Sequence, residues 1–438
     1  MIMDILFLLI FVHIPVLYMV LSIFLRVSFL KIDIINFLIV SIFILSYLGV
    51  FPLYFQLDEY RVELGVTNKF LLIQVLLLSF VSSVFLIAGY LLASLYFFKN
   101  SSSDLDILNT KNGSYNGISI IKPMFILFFI IVLLLYYLHI VPSIALIELL
   151  KGASTTEINL SRSNMTNAFS GYGYFRLVLH NMSIFLSIYS FLLFLVNKKI
   201  TTLFIFIVSF IVTSFSLLIT TEKAPFAWFM ISIFMAYCFI SYNQRFPIGK
   251  TLIFSMVIVI VLAVSYIVFM DVSNLFSGIW SVFSRAFSGS IQPAYHYLEL
   301  FPDKIDFLLG KSFPNPRNIF PFEHFYLTQE VMKIVNPQDY ENGIIGTMPT
   351  VFWGELYVNF SYIGVLFFSF ILGAYICLIR SIVNKIACPV TQLTLLIMLT
   401  MHFKDLSVTS FSNYLIDVNL IFLFIVAIFL SKRKVISN

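Results

Sequence analysis

Runs of about twenty consecutive apolar residues, repeated along the whole chain, limit what this sequence can become. Stretches such as 70–98, 123–147, 200–220 and 251–271 have the length an α-helix needs to cross the roughly 30 Å of bilayer hydrocarbon. A transmembrane barrel would need alternating segments of about ten residues, and these runs do not alternate. Apolar residues make up 60% of the chain and charged ones 11%, too little polar material to coat a water-soluble core of this size. The expected fold is an all-α polytopic membrane protein.

Eleven spans are expected, at 3–25, 32–55, 70–98, 123–147, 177–197, 200–220, 224–242, 251–271, 361–379, 389–403 and 413–430. They divide the chain into 1–271, with eight spans and outer loops 56–69 and 148–176; 272–360, a large outer loop; and 361–438, with three spans and a basic tail. The last two spans are interrupted by His402, Lys404, Asp405 and Asp417. No basic region or small-residue cleavage site precedes the first run, so it is read as a retained span. Cys238, Cys377 and Cys388 lie in or beside spans, so the long loop has neither a disulfide framework nor a zinc set. Residues 100–122, rich in Ser, Asn and Gly, read as a flexible inner linker.

Basic residues set the orientation. With the N-terminus outside, the inner connections carry Arg26, Lys31, Lys99, Lys111, Lys122, Lys198, Lys199, Arg245, Lys250, Arg380, Lys385 and the terminal Lys432-Arg433-Lys434, against Asp33, Asp104 and Asp106. The long loop then faces outward. Within the spans His13, His139 and His180 are the clearest ionisable groups, and a chain of buried acids for proton coupling is absent.

Residues 271–373 stand apart because charges, prolines and aromatics gather there between two apolar runs. Over 274–288, Phe276, Ile279, Trp280, Phe283 and Phe287 recur at helical spacing, with Arg285 on the opposite stripe. That pattern predicts a helix lying in the membrane interface. Pro314, Pro316 and Pro321 forbid regular helix after it, 323–335 suits a second short helix, and Gly343 and Gly346 break the chain again.

Several groups here suit chemistry on a charged lipid. Arg162, Arg176, Lys223, Arg285 and Arg317 gather on the outer side, and an arginine fork can pair two phosphate oxygens. Arginines near span ends also simply snorkel. Arg176 and His180, four apart, share a helix face and suit an anion or a structural hydrogen bond. Glu222-Lys223 fits a tight turn, either as a local ion pair capping the Pro225 helix or as part of the cationic set. Glu355, just before a span, could take a proton from a sugar hydroxyl, with Glu323 and His324 as rivals; a structural acid is the alternative. Trp353 and Tyr357, with Phe352 and Tyr362, can stack on sugar rings or form an interfacial belt. Asp58-Glu59 is either a metal-binding acidic pair or part of a solvated loop.

Residues 349–364, Pro-Thr-Val-Phe-Trp-Gly-Glu-Leu-Tyr-Val-Asn-Phe-Ser-Tyr-Ile-Gly, resemble Wzy-type O-antigen (oligosaccharide repeat-unit) polymerases. Their pattern is Pro, then Gly-Glu-x-Tyr-x-Asn-Phe-Gly-x-x-Gly, leading into a late span. This chain has Ser361 where that family usually has Gly. Arg285, the Tyr297-Leu-Glu-Leu-Phe-Pro302 segment and Gly310-Lys-Ser also look like that family's preceding loop. Arg162 with Gly173 resembles an Arg-x10-Gly pattern of some members, and Lys223 stands where relatives often carry a basic residue.

The resemblance implies an architecture like that of the GT-C-type polymerases and ligases, in a bacterial inner membrane with a periplasmic N-terminus and a cytoplasmic C-terminus. It implies a metal-independent glycosyltransferase without a cofactor that polymerises repeat units carried on undecaprenyl pyrophosphate. Donor and acceptor lipids, a chain-length regulator and a flippase would be its partners, and nucleic acid would not. Arg285 and Glu355 are the expected catalytic residues. Arg162, Arg176, His180, Lys223, Arg317, Glu323, His324, Trp353 and Tyr357 are expected at the substrate. Alternatives are a flippase or transporter of lipid-linked oligosaccharide, a metal-dependent polyprenyl-sugar glycosyltransferase using Asp58 and Glu59, and an O-antigen ligase. The ligase pattern places His where this chain has Thr350, which weighs against it.

Overall fold

Ten helices among the described residues are long and apolar enough to cross a membrane, and no strand accompanies them. The computed structural model describes residues 2–24, 28–98, 120–166, 169, 171–270, 274–341, 346–415 and 417–431. Most of the inner linker, the terminal Lys432-Arg433-Lys434, Arg26, Asp271 and Gly343 lie outside the described residues.

The expected span at 389–403 is a helix, Pro389–Lys404, of 16 residues. At 1.5 Å per residue it rises only about 24 Å, and it is buried along nearly its whole length. The span expected to end at 147 ends at Ile140, before Pro142, which cannot continue the ladder. The connection expected over 148–176 is largely helical. Thr155–Met165 starts at Ser154, whose hydroxyl and Glu157 form a reciprocal capping box. The following span begins at Tyr172, so Arg176 stands on a helix rather than a loop.

The chain forms two compact units. The first comprises Met1–Ser101, Trp280–Ser381 and His402–Asp417. Its spans Lys69–Phe97 and Phe352–Asn384 touch backbone to backbone. A Cβ on Gly89 would lie 1.9 Å from the Phe370 carbonyl oxygen, and one on Gly373 2.0 Å from that of Leu86. Such small-residue contacts replace the hydrophobic drive that lipid cannot supply. Asn68 caps the first of these helices, its Oδ1 accepting from the Phe70 and Leu71 amides at 3.0 and 3.4 Å. At the opposite end Asp33 accepts from its own helix and from Arg380 Nε at 3.1 Å.

The second unit comprises Ser102–Ile279, Ile382–Met401 and Val418–Asn438. Helices Ser183–Asn197 and Ile200–Leu218 form an antiparallel pair joined at Lys198 and Lys199, with Lys198 in the left-handed region at φ 50°. Hydroxyls bridge the pair: Ser187 and Thr213 lie 2.8 Å apart, and Ser216 donates to the Leu179 carbonyl at 2.8 Å. Helix Ile248–Met270 leaves most of its apolar side chains exposed, as expected for a helix facing lipid.

The helix expected over 274–288 is present as Leu275–Phe283, followed by a π-turn over Ser284–Ser288 and the helix Gly289–Leu300. Phe276, Trp280 and Phe283 are exposed, and Arg285 is exposed beyond them. The second short helix runs over Leu327–Val335. It starts after Glu323 and His324, which lie in irregular chain, and between the prolines only the 3-10 turn Pro316–Asn318 forms.

Candidate functional site

The expected span at 361–379 is the later part of one long helix, Phe352–Asn384, whose start holds the Gly-Glu-Leu-Tyr motif. The helix breaks at Phe360 (φ −136°, ψ 19°) and Ser361 (φ 59°, ψ −162°). Ser361 thus occupies a region that is essentially reserved for glycine, a physical reason for glycine at this position of the pattern. The break makes 352–359 a short helix of its own. Gly354 inside it faces Tyr297 and Thr350; a Cβ there would meet Thr350 Cγ2 at 2.6 Å.

A second segment locks onto the end of this helix. Leu308 and Leu309 donate their amides to the carbonyls of Val358 and Asn359 at 3.0 and 3.1 Å, satisfying acceptors that the break leaves open. Gly310, at φ +95°, turns the chain so that its amide reaches Asn359 Oδ1 at 2.8 Å. Ser312 then lies beside Glu355. The Gly310-Lys-Ser segment and the Gly354-Glu355 motif, 44 residues apart from glycine to glycine, meet here.

Glu355 is 2% exposed. Its Oε1 accepts from the Ser312 hydroxyl at 2.8 Å and its Oε2 from the Ser412 amide at 2.6 Å. Asn359 Nδ2 completes the set by donating to Ser312 Oγ and to the Glu355 carbonyl, both at 2.8 Å. A buried carboxylate is costly unless donors replace its water. Here neutral donors from two other segments do so, and Glu355 ties all three together.

Glu355 and His324 both line a pocket of about 440 Å³. Its other walls include Phe325, Tyr326, Gln329, Thr409 and Asn413, and none of its lining residues is Lys or Arg. His324 Nδ1 lies 3.0 Å from the Phe313 carbonyl oxygen. A carbonyl only accepts, so Nδ1 carries the hydrogen, and the neutral ring keeps its lone pair on Nε2. Hydroxyls, amides, aromatic edges and one carboxylate suit a neutral, hydroxyl-rich ligand.

The basic candidates fall into separate places. In the first unit, Arg285 and Arg317 are exposed, and Arg317 sits in the left-handed region at φ 54°. Arg285 is close enough to Arg61 for their charges to repel. Arg61 is mostly buried, lies 3.8 Å from the Asp58 carboxylate, and donates to Gln292. Gly289 makes room for it, since a Cβ there would meet Arg61 Nη2 at 2.8 Å. Asp58 is buried and accepts from Ser284 at 2.6 Å. It is therefore not part of a solvated loop, and Glu59 alone is exposed.

In the second unit, Arg162 pairs with Glu222 at 3.4 Å. Lys223 lies over the Tyr266 ring, 4.1 Å from its centroid. Arg176 is exposed while His180 is buried, with a π-turn over Leu177–Met182 between and around them.

Trp353 is fully buried, its Nε1–H donating to Ser79 Oγ at 3.3 Å. Tyr357 is 4% exposed and donates to the Phe301 carbonyl at 3.1 Å. Both act here as packing residues that seat the motif helix. Glu323 is exposed next to His324. The residues that sequence reasoning missed are Ser312, Asn359, Ser412 and Arg61. Asn359 and Ser312 lay inside quoted motifs, whereas nothing local marks Ser412 or Arg61. Among the described residues no group of three or more His, Cys, Asp or Glu could hold a metal ion. Comparison with family models, with curated proteins and with solved structures gives no match.

Proposed function

We propose that the protein is a glycosyltransferase that polymerises lipid-linked oligosaccharide repeat units at the outer face of a bacterial inner membrane, as the polymerases it resembles do. The observation carrying this reading is the pocket that Glu355 and His324 both line, otherwise walled by neutral groups and free of Lys and Arg. Such a lining selects a sugar and disfavours a pyrophosphate, whose charge needs cations. The pyrophosphate end of a lipid-linked donor is assigned instead to exposed Arg285, with Arg61 behind it.

The division of labour follows. His324 Nε2 accepts the proton from the attacking acceptor hydroxyl, and the oxygen forms a new bond to the anomeric carbon of the donor. The bond from that carbon to the pyrophosphate oxygen breaks, its electron pair leaving with the pyrophosphate, which the arginine side stabilises. Glu355 holds the pocket floor and lends negative charge to the developing imidazolium. This gives the proton-accepting role to His324 rather than to its rival Glu355, whose two oxygens are engaged in tying three segments together.

The test is a deletion strain complemented with the wild type, Glu355→Gln or Arg285→Ala, each checked for membrane insertion and scored for glycan length. Single repeat units on the acceptor are the expected product of both variants, whereas complete loss of outer-face units would point to a flippase. Wild-type ladders from both variants would overturn the assignment.

A further inference from the structure

A second buried polar assembly lies on helix Gly289–Leu300, and the reaction above uses only one member of it. Its hydrogen bonds run in series. Arg61 donates to Gln292 Oε1. Gln292 Nε2 lies 3.3 Å from His296 Nε2, and His296 Nδ1 lies 3.2 Å from Glu299 Oε2. Gln292 is fully buried and His296 is 2% exposed, so water cannot substitute for a lost partner. Each position allows one direction. With its oxygen on Arg61, the Gln292 amide must present N–H to His296, so His296 Nε2 must accept. Nδ1 then carries the hydrogen that Glu299 receives.

We propose that His296 is a proton-operated latch on Arg61. Protonation gives the imidazole a hydrogen at both nitrogens, so Nε2 meets the Gln292 amide donor to donor. The amide can turn its oxygen to the imidazolium, but its N–H groups then face the guanidinium, which also only donates. Either way one of the two bonds is lost. In the state with the amide reversed, Arg61 leaves Gln292 and its charge becomes available beside Arg285.

The surrounding charges set the range. Glu299, on the same helix, favours the imidazolium, while Lys304 just beyond the helix opposes it. Tyr295 meets the ring edge-on. Arg61, with Asp58 at its side, faces His296 through Gln292, and Arg285 lies beyond. Burial prevails and holds the histidine below its ordinary value, so the latch is closed at neutral pH and opens in mild acid. The consequence is an anion site on the Arg61–Arg285 side that strengthens as the outer medium acidifies, which rests on the arginine assignment made above.

The test uses the full chain in lipid nanodiscs at pH 7.5 and 5.5. Amide hydrogen exchange over 58–66 is compared between the wild type and His296→Gln at each pH, so that intrinsic exchange chemistry cancels. The expected ratio is near one at pH 7.5 and several-fold faster exchange in the wild type at pH 5.5. Gln292→Glu, whose carboxylate accepts from both neighbours, should stay protected at both. Equal exchange of the wild type and His296→Gln at pH 5.5 overturns the latch. Inorganic sulfate, doubly charged throughout this range, then probes the site: wild-type affinity should rise on the order of tenfold in acid, about 1.4 kcal/mol, and Arg61→Gln should show no rise. An exchange difference without any effect of Arg61→Gln on sulfate leaves the latch standing and overturns the anion assignment.

Discussion

Two of the carboxylates buried within the first unit, Glu355 and Asp58, are kept there by opposite means. Glu355 is held by a hydroxyl and a backbone amide, and the pocket it lines contains no Lys or Arg. Asp58 is held by Ser284 and faces Arg61, so its charge is largely spent within the protein. Both side chains are buried, yet only Glu355 lines the cavity. Burial alone therefore does not tell the two acids apart. What separates them is whether the compensating donors are themselves charged.

That contrast can be broken most sharply at Asp58. Asp58→Asn strands Arg61 beside a neutral partner, and removal of one member of a buried pair costs about 3 kcal/mol. A fall in melting temperature measured in detergent should exceed that of any single change around Glu355 suggested below. Next, His324→Gln should slow chain elongation about 100-fold, the scale of a lost general base, while leaving melting unchanged. Wild-type elongation by this variant would return the proton to Glu355. Ser361→Gly should stabilise by about 1 kcal/mol through relief of a glycine-favouring conformation, seen as a higher melting temperature with activity retained. Ser312→Ala removes one of two donors to Glu355 and should cost about 1 kcal/mol, far less than Asp58→Asn.

The smallest expected effect is a pH dependence. Burial keeps His296 below the ordinary histidine value, so the folded state disfavours its charged form. Its contribution is intact above the unfolded value of about 6.5 and diminishes as pH falls below it. Melting temperatures from pH 7.5 down to 5 should therefore decline more steeply for the wild type than for His296→Gln. Parallel slopes would show that the Asp58 side tolerates acid as well as the Glu355 side does.

The membrane class and most helices were legible because a twenty-residue apolar run has a single economical fate in lipid. The helix Leu275–Phe283 was legible from the spacing of Phe276, Trp280 and Phe283, and the irregular 301–326 stretch from its prolines. The pairing of Glu355 with Ser312 was half visible, since both lay in quoted motifs, but nothing in one dimension says that Gly310 turns the chain back onto Asn359. Ser412 donates through its backbone, which no side-chain pattern can announce. Asp58 and Arg61 looked like an ordinary charged loop, because their partners Ser284 and Gln292 come from more than two hundred residues away. The capping box at Ser154 was readable by rule, and the polar composition of 148–176 concealed it.

The short helix Pro389–Lys404 has a consequence for where the reaction can occur. On the orientation that the loop charges favour, it starts at the inner surface and its rise of about 24 Å falls short of the roughly 30 Å of hydrocarbon. The polar turn that follows, with Thr409, Ser412 and Asn413, is then sunk beneath the outer water line, enclosed by protein as backbone at that depth must be. On the proposed function, the pocket that this turn lines would then open below the headgroups, and a sugar tethered to a lipid would reach it by sliding sideways with its anchor still in the leaflet.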